Sequence, residues 1–156
     1  MMNTARFEEM KATCRAWEEA KQERRARKQQ IIDTLGWDGE ELKAWYEEDK
    51  AAAYPYTSGQ VKAMRAFADS IKREGGIIEM NDSCWESEWH DFITTLRDLG
   101  AERMIVTNQS TGLMDDLYGY AAEGCTMTGL ETITKLVDRW GGEEVETVRG
   151  IGFDLN

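Results

Sequence analysis

Proline is nearly missing from this chain, with Pro55 the only one in 156 residues. A chain so poor in proline has few obligatory helix stops, so the one it has reads as a boundary. Histidine is also scarce: His90 stands alone, and no CxxC or HxxxH pair accompanies it. Metal-ligand spacing of the zinc type is therefore missing, as are a P-loop and a GxGxxG turn behind a strand. The three cysteines, Cys14, Cys84 and Cys125, are odd in number and far apart, so no disulfide framework follows and a reducing compartment is expected. No apolar run is long enough for a membrane span, and the charged start MMNTARFEEM has no apolar signal core. These absences point to a cytoplasmic protein, with no membrane partner and no cofactor.

What the chain has in excess is negative charge. Thirty acidic residues face nineteen basic ones, giving a net charge of −11, while hydrophobic residues make up 41%, enough for a packed core. The charge is unevenly spread. Residues 1–30 carry net +3, residues 31–54 net −5, and residues 55–156 net −9. An acidic body repels nucleic acid and releases no counterions from it, but it complements a basic protein surface. Solubility alone is the plainer account of the same charge.

Pro55 divides the chain into residues 1–54 and 55–156. The first part reads as a helical hairpin. Phe7, Met10, Cys14 and Trp17 form an apolar stripe, broken by Lys21, Arg24 and Lys28, resuming at Ile31, Ile32 and Leu35, and ending at Gly36. That stripe can pair two chains in a homodimer as readily as pack within one. Asp38 with Glu41 resembles a capping box for a second helix with Leu42, Trp45 and Tyr46 inward. Trp17, Trp37 and Trp45 have little hairpin volume to fill, so packing on the body is expected.

Residues 55–156 read as an α/β domain: a small, largely parallel sheet of about four strands covered by helices. Thr57 caps a helix with Val61, Met64, Phe67, Ala68 and Ile71 inward. Strands are expected at residues 77–80, 103–107 and 125–127, and a last one over Val148, Ile151, Phe153 and Leu155 with a shift near Gly150. Ser83 with Glu86 opens a helix whose inner face is Trp85, Trp89, Phe92, Ile93, Leu96 and Leu99. Another helix runs through Leu117 and Tyr120. In residues 128–140 threonines favour strand, but Leu130, Ile133, Leu136, Val137 and Trp140 keep helical spacing. With Thr128 and Glu131 as a capping box, helix is the expectation.

The polar turns after the strands carry the candidate ligand residues Asp82, Ser83, Asn108, Ser110 and Thr111, near helix amino termini that favour a small anion. Helix capping explains the same residues without a ligand. Cys84, His90 and Cys125 are the candidates for a metal or for thiolate chemistry, although six residues along one helix turn Cys84 away from His90. The run Arg24-Arg25-Ala26-Arg27-Lys28 could touch nucleic acid, or be a solvated helix face held by glutamates. Candidate acidic partner contacts are Glu40, Glu41, Glu47, Glu48, Asp49, Asp115, Asp116, Glu143 and Glu144.

Three stretches, Tyr54-Pro55-Tyr56-Thr57-Ser58-Gly59-Gln60, residues 81–92 (NDSCWESEWHDF) and residues 106–114 (VTNQSTGLM), resemble a family of small uncharacterised acidic proteins carried on mobile genetic elements of Firmicutes. As a class such proteins look like anti-CRISPR and other anti-defence inhibitors. The resemblance implies a binding protein without turnover that occludes the basic groove of a nucleic-acid enzyme, a CRISPR nuclease first among them, in a bacterial cytoplasm. Two alternatives stay open: a small-anion-binding α/β domain or enzyme at the strand ends, and a regulatory protein of a mobile element with a basic nucleic-acid-binding arm.

Overall fold

The computed structural model describes residues 2–156. Among them are five α-helices and one four-stranded mixed sheet. The elements are α1 (Thr4–Leu35), α2 (Glu40–Ala51), α3 (Ser58–Ser70), β1 (Ile78–Met80), α4 (Trp89–Asp98), β2 (Arg103–Val106), α5 (Leu113–Ala122), β3 (Thr126–Arg139) and β4 (Gly142–Asp154). The chain separates into two compact units, Glu8–Tyr56, and Thr57–Asn156 together with the stretch up to Phe7. No helix among the described residues is long and apolar enough to cross a membrane.

In the smaller unit α1 is one continuous helix to Leu35, with no break at the basic run. The expected Asp38–Glu41 capping box is not made. Gly39 takes the N-cap position of α2 without a side-chain bond, and Leu42 and Trp45 are buried whereas Tyr46 is half exposed. Trp17 and Trp45 find partners inside this unit, whereas Trp37 is exposed. Trp45 Nε1 donates to the Arg24 carbonyl at 2.8 Å, and Trp17 Nε1 donates to the Ala52 carbonyl at 3.2 Å. Trp17 also meets Tyr54 edge-on, with ring centroids 4.9 Å apart. α2 ends at Ala51, a few residues before Pro55, as the proline requires.

The larger unit is built on strand order β1-β2-β4-β3. Only β1 and β2 run parallel; β4 is antiparallel to both β2 and β3. The expectation of a largely parallel sheet is thus corrected, and the cause lies in residues 128–140. They form a long strand, not a helix. Thr126, Thr128, Thr132, Ile133, Thr134 and Val137 are β-branched, and β4 supplies Val145, Thr147, Val148 and Ile151 across from the strand. The expected Thr128–Glu131 cap is instead a side-chain bond beside the register shift at Met127/Gly129. That is also where the irregularity lies, rather than at Gly150. A two-residue turn, Trp140-Gly141, joins the ribbon, and Gly141 takes a φ of 91° that a side chain would resist.

The core is apolar and dense, with Phe67, Phe92, Ile93, Leu96, Leu99, Ile78, Met104, Tyr120, Phe153 and Leu155 fully buried. Each contributes about 1.5–3 kcal/mol by leaving water. Strand alternation sends Glu79 of β1 to the face opposite Ile78 and Met80. There the β3–β4 ribbon folds back over the sheet. Lys135 Nζ reaches both Glu79 carboxylate oxygens at 3.2 Å, Thr107 donates to Glu79 at 2.6 Å, and Arg103 pairs with Glu131. Ile133 is buried beneath it.

Candidate functional site

The carboxyl ends of the parallel strands β1 and β2 open into a cleft of about 750 Å³. Lys62 of α3, Asp82 to Glu86 after β1, Trp89, and Ser110 to Gly112 with Asp115 at the start of α5 line it. The sequence-predicted residues Asp82, Ser83, Ser110 and Thr111 are therefore brought together, with Asn108 buried behind them.

What gathers them is Asp116. Expected as an exposed acidic contact, it is fully buried and corrected here to a structural role. Its carboxylate accepts from Ser83 Oγ at 2.8 Å, the Cys84 amide at 3.2 Å, Trp89 Nε1 at 3.1 Å and Asn108 Nδ2 at 3.2 Å. A buried charge is tolerable when hydrogen-bonded to this extent. Ser83 therefore does not cap α4, as its spacing to Glu86 implied. A 3-10 turn at Glu86–Glu88 intervenes, Glu88 accepts from the Trp85 amide at 2.8 Å, and α4 begins only at Trp89. The delayed start throws Trp85 out of the core, where it was expected, and leaves it 77% exposed on the cleft wall. Trp89 lies against α5 at Gly119, where a Cβ would run into the indole.

Lys62 is the cleft's one cation among the lining residues, and it is already engaged. Its ammonium donates to the Ser83 carbonyl at 2.7 Å and to Glu88 at 2.9 Å. Burial works against that charge, but Glu88 outweighs it and holds the Lys62 pKa above its ordinary value. Burial likewise works against the Glu88 carboxylate, and the Trp85 amide and Lys62 overcome it, holding its pKa below the usual range. Asp82, Glu86 and Asp115 complete the wall, so carboxylates outnumber the paired cation. A small anion is opposed by that charge, and a cationic group is favoured, with the exposed Trp85 ring as a platform.

The thiol and metal readings fare differently. Burial pushes the Cys84 thiol up to about 12, and its nearest polar partner is the Tyr120 hydroxyl at 3.7 Å. Such a thiol is protonated and inert at neutral pH. Cys125 is buried beside Arg97, and burial raises its pKa too. His90 bonds Glu123 at 2.8 Å on the surface. Each of the three thus has a separate partner, and among the described residues no group of three or more His, Cys, Asp or Glu could hold a metal ion.

The other predicted residues scatter. Glu40, Glu41 and Glu47 are exposed on α2, while Glu48 pairs with Arg27 and Asp49 with Arg24 at 3.1 Å. Lys28 sits over the rings of Trp45 and Tyr46 at 5.0 and 4.9 Å. The basic run therefore spends Arg24, Arg27 and Lys28 on α2, while Arg25 is exposed. Glu143 and Glu144 lie on the ribbon, where Glu144 is 3.6 Å from Arg139. Sequence reasoning missed the exposed Trp85 and the partner role of Lys62; the buried phase of Asp116 was legible, since it falls one turn before Tyr120.

A mixed α/β body with an acidic, tryptophan-walled cleft at its parallel strand ends is the class that fold and site define. The chain belongs to the family described as Domain of unknown function (DUF7698), whose model matches residues 62–155 and so spans both cleft loops. No curated protein and no solved structure matches it.

Proposed function

We propose that the protein is a binding protein that acts without turnover, receiving a basic surface of a nucleic-acid enzyme in its strand-end cleft. One observation carries the reading: Asp82, Glu86 and Asp115 share a cleft with an exposed Trp85, and the only lysine there is already bonded to Glu88. An aromatic anchor ringed by carboxylates suits an arginine or lysine side chain from a nucleic-acid-binding groove. The net charge of −11 would steer such a groove toward it. Together with the resemblance to mobile-element proteins, this favours an inhibitor of host defence, a CRISPR nuclease first, working in a bacterial cytoplasm. The expected helical hairpin appendage of residues 1–54 would begin at Glu8, the stretch up to Phe7 belonging with the α/β domain, and the Trp45, Arg24 and Arg27 bonds between α1 and α2 support the hairpin.

The test is target-DNA cleavage by a guide-loaded type II CRISPR nuclease, with the protein added before the DNA and complex formation followed by size exclusion. Inhibition with co-elution is expected. Trp85→Ala, and separately Glu86→Lys with Asp115→Lys, should each weaken inhibition at least about tenfold while leaving the circular dichroism spectrum unchanged. Full cleavage with no complex, or inhibition untouched by both variants, defeats the reading.

A further inference from the structure

β3 is one of the two edge strands of the sheet and runs fourteen residues, well beyond the usual length of about 5–6. Its one sheet neighbour is β4, so the backbone N–H and C=O groups on its other edge form no ladder among the described residues. Edges are blunted by shortness, proline, bulges or inward charges; β3 is neither short nor broken by proline, and its one irregularity, at Met127/Gly129, lies before the stretch from Leu130 onward. Its two inward charges are matched within the chain, Glu131 by Arg103 and Lys135 by Glu79. The outward side chains Thr132 and Thr134 are exposed, and Leu130 is 90% exposed.

The order of residues along this edge is self-complementary. Take a second copy related by a two-fold axis through Ile133, its β3 antiparallel to the first. Leu130 then faces Leu136 of the other copy, Thr132 faces Thr134, and Glu131 faces Lys135, each pair made twice. Apolar meets apolar and hydroxyl meets hydroxyl, pairings that stabilise antiparallel neighbours, and Glu131 and Lys135, each matched inside its own chain, meet no like charge. Moving the axis to Glu131 or Lys135 sets like charge against like. Moving it to Thr132 or Thr134 sets both charges against apolar residues or Gly129. We propose that the protein forms a homodimer by pairing the β3 edges through residues 129–137, joining two four-stranded sheets into one of eight. The occupant of the edge is a second copy of this chain, and the arrangement leaves the strand-end clefts out of the paired edge.

Sedimentation equilibrium of the full chain at micromolar concentrations tests this with two double variants that share one change. Thr132→Lys with Thr134→Lys places lysine against lysine twice. Thr132→Lys with Thr134→Glu places lysine against glutamate twice. Because Thr132→Lys is common to both, its effect on Arg149, the residue across from it on β4, cancels. The wild type is expected to be a dimer, the first variant to dimerise at least about tenfold more weakly, and the second to keep the dimer. Equal thermal midpoints for the two variants show that the fold is not the cause. A monomeric wild type, a dimer indifferent to both variants, or one weakened equally by both overturns the proposal.

Discussion

At Asp116 four donors converge on one carboxylate, and they come from the loop after β1, from α4 and from the turn after β2. Removing the acceptor would leave buried donors facing nothing. Asp116→Ala is expected to destabilise the protein by about 3 kcal/mol, while Asp115→Ala, next to it and exposed, should change stability by less than about 0.5 kcal/mol. Urea unfolding of the two variants checks the contrast, and near-equal midpoints would deny Asp116 its structural role. A second residue-scale prediction concerns His90. Its bond to Glu123 raises the imidazole pKa above 6.5, aided by the charge of Glu123. A raised folded pKa means the pair stabilises fully below pH 6.5, and the contribution is lost as pH rises through the raised value. An NMR titration should place the His90 midpoint above 6.5 and return it toward that value in Glu123→Gln. An unchanged midpoint in the variant would assign the shift elsewhere.

Elements whose local signals agree with one another were legible from sequence. Thr57 caps its helix as expected, with Gln60 completing the box, and Phe67 is buried on the inner face, but the helix ends at Ser70 and leaves Ile71, expected inward, exposed. The buried face of α4, with Phe92, Ile93, Leu96 and the following Leu99, follows its helical period. Where the reading failed, a distant partner outbid a local signal. Ser83 had a capping glutamate three residues on, but Asp116 took its hydroxyl. Residues 128–140 offered helical spacing and strand propensity together, and nothing within the segment decides between them. The decision comes from β4, whose pairing runs from Thr126–Asp154 to Arg139–Gly142. The turn that brings β4 back is Trp140-Gly141; the Gly141-Gly142 pair there marks a break in the chain, but it serves the end of a helix as well as a hairpin, so it does not decide the reversal. Once that ribbon is missed, the antiparallel half of the sheet is missed with it. For the cleft, the loop residues were legible as strand-end polar turns, but its sign was not. The lining carboxylates Glu86 and Asp115, and the bond that occupies Lys62, exist as a group only in three dimensions.

On the scale of the whole molecule the two proposals rest on different forces, and salt separates them. Recognition of a basic groove draws on the net charge of −11 and on the carboxylates around Trp85. Those charges face solvent, and at physiological ionic strength their reach is cut to about 8 Å. Long-range steering of a partner is therefore expected to fade as salt rises, through the association rate more than the dissociation rate. Pairing of β3 edges draws on backbone hydrogen bonds and on Leu130 against Leu136, with Glu131 and Lys135 already matched inside each chain. Salt hardly touches those terms, and the dimer even gains as repulsion between two acidic bodies is screened. We expect the rate of association with the nuclease to fall at least about tenfold between low and high salt. The dimer dissociation constant should hold steady or tighten over the same range. Biolayer interferometry of the complex and sedimentation of the free protein, run in the same buffers, measure the two. A salt-indifferent association rate would remove charge from the recognition of the target, and a dimer that dissociates as salt rises would mean that ion pairs between copies, not the strand edges, hold it together.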